Sequence, residues 1–481
     1  MTRKDTLVAV CLALLTLAVW APGLGGGFQF DDWNVIVNEP QVQSLHAWWH
    51  SMPGIRPVLK LTYALNNEWG SGAVGFRAVN IVLHIANTVL VLWILLAFAR
   101  QRLTSDDPAT TAIHGRLAAA IAALLFALHP VQSDAVSYIS GRSSVLSAFF
   151  SLLALWLWQR RALRVASEPL LRRWRINWPA LLAFALALGS KESALALPFA
   201  LALMWYAARP AERQAGGQPF AELGRIMAPF MLLTAFAVVA AAATTPYPRL
   251  IALASEGRSL SGNLLTQANG VSYLLGQILL IRPANADPAL PYVASLNLPT
   301  ALRGAMLLTI MVMGWRLLRR HPAVAFGVLW FFVWLAPTNS FLPRLDAVFD
   351  RQVYVAMIGP AWLLGWGIAS LAARPLRGVA VAAVATLAAY LGTQTLSRHA
   401  VYADEISFWR DVTLKSPNSS RAANNLAMAY ASACREQEAL AEFARAARLD
   451  PADPYAPINR ALLQRGELPL SGTPCERREI R

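Results

Sequence analysis

The chain has 481 residues, of which 56% are hydrophobic and only 14% charged, and its mean hydropathy is +0.42. That composition excludes an ordinary soluble domain. The formal net charge of +15 has the size of a nucleic-acid footprint, but the basic residues are distributed in another way, described below, and no nucleic-acid partner is expected.

The apolar stretches run to about 15–24 residues each, enough to cross ~30 Å of hydrocarbon as helices. No period-2 barrel signal is present, so the expected class is all-α, a polytopic membrane helix bundle. The first stretch, Thr6 to Leu24, follows Arg3 and Lys4 like a signal peptide. No convincing small-residue cleavage site precedes its glycine run and many spans follow, which predicts an uncleaved helix with a cytoplasmic N-terminus. Arginines then cluster between alternate stretches: Arg100, Arg102 and Arg116; Arg160, Arg161, Arg164, Arg172, Arg173 and Arg175; Arg209, Arg213 and Arg225; Arg316, Arg319 and Arg320; Arg374 and Arg377. This positive-inside pattern orients the chain and favours anionic membrane lipid on the cytoplasmic side. Alternation predicts about eleven spans, near 6–24, 77–98, 117–129, 143–158, 179–190, 193–207, 226–243, 299–315, 323–336, 353–371 and 378–396. The stretch 264–281 lacks a flanking arginine cluster and reads as interfacial or re-entrant. An odd count puts the C-terminus outside.

Residues 1–398 therefore read as the membrane domain, and 399–466 as a helical segment followed by a flexible tail, 467–481. Ser420 to Asp453 fits the roughly 34-residue tetratricopeptide pattern, with Leu426, Ala427, Tyr430, Ala439, Phe443, Ala446 and Pro451 at its signature positions. Trp409, Val412 and Pro417 repeat half of it one period earlier, and the residues after Pro454 suit a capping helix. So short an array leans on the membrane domain or binds a protein partner. Cys434 and Cys475 lie in this tail and Cys11 in the first span; an external tail permits a Cys434–Cys475 pair, but two lone thiols are the expected state.

Polar motifs recur at the predicted outer ends of the spans. Asp31 and Asp32 close the first, in Phe-Gln-Phe-Asp-Asp-Trp; neighbours on an extended loop diverge, so one suits a base and the other an orienting role. His129-Pro130-Val131-Gln132-Ser133-Asp134 ends the third, and His129 by itself suits a helix-end hydrogen bond. Arg142 opens the fourth. Lys191 and Glu192 interrupt an apolar run, where ionisable groups cost several kcal/mol unless paired or lining a polar cavity. Asn339, Arg344, Asp346, Asp350 and Arg351 crowd the loop from Pro337 to Tyr354, and Arg56 is a further external cation. Cations on the trans side need a local reason: an anionic partner or a loop aspartate. Carboxylates and cations at one membrane boundary suit sugar transfer from a lipid-linked phosphate, which needs a base for the acceptor hydroxyl and positive charge for the leaving phosphate. No glycine-rich phosphate loop, His-Glu-x-x-His motif or serine triad is present.

Phe28 to Asn38, Arg56-Pro57, Gly75 to His84, Ala127 to Arg142, Ser190-Lys191-Glu192 and Ala336 to Tyr354, in that order, resemble the transmembrane and tetratricopeptide repeat-containing O-mannosyltransferase-like family. These are membrane glycosyltransferases of the GT-C class, and the resemblance covers about Gly25 to Gly466. It implies an inverting hexosyltransferase with a polyprenyl-phosphate sugar donor and a protein or glycan acceptor. It maps the base onto Asp31, supporting carboxylates onto Asp32 and Asp134, and phosphate contacts onto Arg56, Lys191 and Arg351; His129, Arg142 and Glu192 are further candidates. No obligatory cofactor is implied and a divalent metal is left open. The expected location is a cell membrane, a bacterial inner membrane, with the repeats extracytoplasmic. Two departures stand out: Ser143-Ser144 where relatives often carry an acidic residue, and a repeat array much shorter than in eukaryotic relatives. The alternative is a non-enzymatic scaffold or transporter that recruits envelope partners.

Overall fold

The computed structural model describes residues 2–52, 54–101, 108–165, 176–208, 219–341, 343–344, 346–372 and 376–468. Arg102, Arg172, Arg173, Arg175, Arg209, Arg213, Arg374, Cys475 and nearly all of the expected tail lie outside them. Among the described residues every regular element is helical.

Among the described residues six helices are long and apolar enough to cross a membrane: Arg3–Gly25, Gly72–Gln101, Ile139–Ala162, Glu222–Thr244, Leu298–Leu317 and Arg377–Val401. A bent pair, Ile113–Leu128 and Pro130–Val136, makes up to seven. The bend has a local cause: Pro130 disfavours the α region for the residue before it, and His129 stands extended at ψ 128°. Four shorter apolar helices, Trp178–Leu188, Glu192–Ala208, Pro322–Leu335 and Ile358–Ala372, fall where further spans are expected. The helix Leu260–Ile278 is not among the six.

Burial separates inner from outer helices. Gly72–Gln101 and Ile139–Ala162 are mostly enclosed by protein, whereas Glu222–Thr244 exposes Leu232, Phe236 and Val239. Such a surface suits a bilayer and would be a liability in water. Inside, small residues let backbones approach: a Cβ on Gly359 would lie 2.2 Å from the Gly327 carbonyl of the neighbouring helix.

The two ends of the bundle differ chemically. Buried Asp5 pairs with Arg100 and, at 3.8 Å, with Arg116, joining three helix ends on the arginine-rich side. The motif-bearing loops gather at the other end, beneath the helices Glu405–Lys415, Ser420–Ser432, Glu436–Leu449 and Tyr455–Arg465. The side chains expected to form their core, Trp409, Leu426, Tyr430, Ala439, Phe443 and Ala446, are buried in one cluster that also takes in Tyr138 and Ala286 from the bundle. Cys11 is a free, exposed thiol, while Cys434 is disulfide-bonded and not the lone thiol expected.

Candidate active site

The loop after the first span is shaped residue by residue. Phe30 takes a left-handed conformation at φ 49°, uncommon for a side-chain-bearing residue. Its ring sits edge-on to Trp409, with centroids 5.0 Å apart. Asp31 follows, its N–H donating to the Tyr138 hydroxyl at 3.0 Å. Asp31 and Asp32 begin a helical turn, not the extended loop expected, so the two carboxylates diverge by turn geometry.

Asp32 is fully buried and points into the protein. Its carboxylate accepts the Gln29 N–H at 3.0 Å, the Ser140 N–H at 2.8 Å and the Ser140 hydroxyl. Burial nevertheless pushes its pKa up to about 7 against those donors. Asp32 thus ties the loop after the first span to the loop before Arg142. That second loop has no spare room, since a Cβ on Gly141 would stand 2.5 Å from the Asp134 carbonyl.

Asp31 remains half-buried and lines a cavity of about 190 Å³ together with Arg56, Lys60, Lys191, Arg344 and Arg351. Burial raises its pKa, while the Arg351 guanidinium and the Tyr138 hydroxyl hold it down in part. The cations are not equivalent. Arg56, itself left-handed at φ 51°, binds both oxygens of Glu192 through one nitrogen at 2.7 and 2.9 Å, and Tyr247 donates to the same carboxylate at 2.7 Å. Arg351 donates its N–H to Asp134 at 2.9 Å and its guanidinium to both Asp134 oxygens at 3.3 Å, over the ring of Phe349. Lys191 does not pair with Glu192; its ammonium donates to Ser144 at 2.7 Å. Lys191 and Arg344 have no ion-pair partner among the described residues. Burial and the neighbouring Arg56 and Arg351 hold the Lys191 pKa well below its ordinary value.

The structure therefore brings Asp31, Arg56, Lys191 and Arg351 to one cavity and places the other candidates behind it. Asp134 and Glu192 anchor Arg351 and Arg56. Arg142 is fully buried, donating to Asn80, Asn66 and the Phe76 carbonyl between the rings of Tyr63 and Phe76. His129 bridges the Val131 N–H and the Ile278 carbonyl as a helix-end group.

Sequence reasoning missed Tyr63, Tyr138 and Gln352 in the cavity wall and left Arg344 unassigned. Among the described residues the Tyr63 hydroxyl and the Gln352 amide nitrogen have no hydrogen-bond partner. Nothing local marked the two tyrosines or the glutamine, whereas Arg344 carried the same trans-side anomaly as Arg351. Among the described residues no group of three or more His, Cys, Asp or Glu is gathered to hold a metal.

No established family model matches the chain. In sequence it is similar to protein O-mannosyl-transferase TMTC4 of Homo sapiens, 33% identical over 159 residues, or 29% of this chain and 21% of the human protein. It is similar to protein O-mannosyl-transferase TMTC1 of Mus musculus, 31% identical over 169 residues, covering 32% of this chain and 17% of the mouse protein. A third relative, protein O-mannosyl-transferase Tmtc2 of Drosophila melanogaster, is 27% identical over 213 residues, 40% of this chain and 21% of its own length. The chain spans about a fifth of the length of these curated relatives. It resembles the transmembrane and tetratricopeptide repeat-containing O-mannosyltransferases, over a shorter stretch than Gly25 to Gly466.

Proposed function

We propose that the chain is an inverting membrane glycosyltransferase that moves a sugar from a polyprenyl-phosphate donor to an acceptor hydroxyl at the extracytoplasmic face. The observation that carries this reading is the shared cavity: one carboxylate, Asp31, with Arg56, Lys191, Arg344 and Arg351 around it. The names of the similar proteins point to mannose as the sugar and a protein as the acceptor.

In the step proposed, the acceptor O–H gives its proton to the Asp31 carboxylate as its oxygen attacks the anomeric carbon. The bond from that carbon to the phosphate oxygen breaks, and its electron pair leaves on the phosphate. Charge grows on the leaving group, so cations fixed in advance stabilise the transition state more than the ground state. Arg344 suits this best because no carboxylate among the described residues already neutralises it, and Lys191 joins it because a bound phosphate favours its charged form against the burial and the cations that depress its pKa. Burial that raises the Asp31 pKa makes its carboxylate a stronger base. Asp32 and Asp134 act as supports, not as proton acceptors.

The proposed topology counts the six long helices, the bent pair and the four shorter helices as the eleven spans, with the N-terminus cytoplasmic. Residues 1–398 then form the catalytic domain, and 399–466 an extracytoplasmic tetratricopeptide segment.

The test is turnover of polyprenyl-phosphate mannose with a serine/threonine-rich acceptor peptide by purified protein. Asp31→Asn keeps the shape but cannot take the proton, and should lose on the order of 10²-fold or more in kcat while still binding donor. Wild-type turnover in that variant removes the base assignment. A wild-type protein that folds, binds its partners and turns over no lipid-linked sugar would favour the scaffold.

A further inference from the structure

We propose that Glu405, in the first turn of the helix Glu405–Lys415, is a positioning residue for Asp31, which makes the C-terminal helices part of the active-site framework. This rests on the reading of Asp31 as the base. One oxygen of Glu405 accepts the Phe30 N–H at 3.2 Å and the Trp33 indole N–H at 2.9 Å. The contact therefore brackets Asp31 and Asp32 from both sides, across more than 370 positions of sequence.

The bracketed peptide needs such a restraint. Phe30 holds φ 49° without being glycine, a conformation that persists only where its surroundings over-determine it. On one side Tyr138 fixes the Asp31 N–H; on the other Glu405 fixes the Phe30 N–H and Trp409 packs against the Phe30 ring. Glu405 can serve because its helix is itself docked. Asp404 caps it at the Ser407 N–H, 2.8 Å away, and the Ala403 carbonyl accepts the Gly27 N–H at 3.1 Å. At the far end Lys415 donates to the Ala284 carbonyl at 2.7 Å. A carboxylate in the first turn of a helix also lies at the favourable end of the helix dipole. The cations of the cavity sit on other elements and, among the described residues, none of them pairs with Glu405, so loss of this bracket should misplace the base and leave donor binding intact.

The experiment compares full-length wild type with Glu405→Ala, Glu405→Gln and Asp31→Asn in lipid nanodiscs. It measures kcat and donor KM with polyprenyl-phosphate mannose, and amide hydrogen exchange over residues 28–33. Misplacement by about 1 Å is worth on the order of 10²-fold in rate. Glu405→Ala should approach that loss in kcat with donor KM unchanged and faster exchange in this peptide alone; Glu405→Gln, which keeps an acceptor oxygen, should recover most of both. Wild-type kcat and exchange in Glu405→Ala overturn the proposal, as does an equal loss in both variants with exchange rising throughout the bundle. Activity in Asp31→Asn would instead remove the base assignment, and the exchange comparison would still report the bracket.

Discussion

Two adjacent aspartates with the same chemistry end in opposite situations because consecutive side chains of a helical turn point in different directions. Asp32 spends its lone pairs on three donors inside the protein, while Asp31 keeps a face on the cavity. Asp32→Ala should therefore lower thermal stability and activity together, since charge-assisted bonds to buried donors contribute about 1.5–3 kcal/mol each; Asp31→Asn should lower activity alone. A melting curve beside a turnover assay separates them. As the proposed base, Asp31 must be ionised, so kcat/KM should fall as pH drops through its pKa, with the limb above the ordinary aspartate value near 3.8. Burial sets the direction, with Arg351, Tyr138 and Arg421 holding the pKa down and Asp346 adding to the rise. Arg351→Gln removes the strongest lowering influence and should move the limb to higher pH. It also leaves the buried Asp134 without its countercharge and with the residue-351 N–H as its remaining donor, so stability should drop by about 3 kcal/mol, the low end of the range for a broken buried pair. Lys191→Met strands no carboxylate: donor KM should rise and kcat fall with no loss of melting temperature, and unchanged kinetics would move the phosphate elsewhere.

At the scale of elements, the C-terminal helices are fastened to the bundle by a few polar contacts over a shared apolar cluster. Arg421 donates to both oxygens of buried Asp287, at 2.9 and 2.6 Å, and to Asp346 in the cavity-forming loop at 2.5 Å. Arg421→Ala strands Asp287, at a cost of about 3 kcal/mol, the low end of the range for a buried pair whose partner is partly solvated. The expected result is protease cleavage near residue 403 under conditions that leave wild type intact, with the bundle's own melting unchanged. Equal resistance in both proteins would mean that the apolar cluster alone holds the segment.

For the whole molecule, orientation is the consequential quantity, since under the proposed function the acceptor has to reach the cavity from the side the C-terminal helices face. Asn418 is exposed in the turn before the helix Ser420–Ser432. An Asn418→Cys variant should react in intact cells with a membrane-impermeant thiol reagent, as an outer tail requires. Reaction only after lysis would reverse the face assigned to the cavity.

Hydropathy and the arginine distribution alone marked this chain as a multi-pass helical protein, because the cost of unsatisfied backbone in hydrocarbon leaves few other choices. Repeat spacing alone placed the apolar positions of the C-terminal helices, since a 3.6-residue period shows which side chains share a face. The motifs also named Asp31, Arg56, Lys191 and Arg351, because charge at an apolar boundary is conspicuous wherever the chain folds. Tertiary structure decided the rest. Glu192 turned to Arg56 and not to its neighbour Lys191, Asp134 to Arg351 across 217 positions, and Arg142 into a cage of amides and rings. Pairing depends on which loops meet in space, and a one-dimensional pattern carries the identity of a charge but not the distance to its partner.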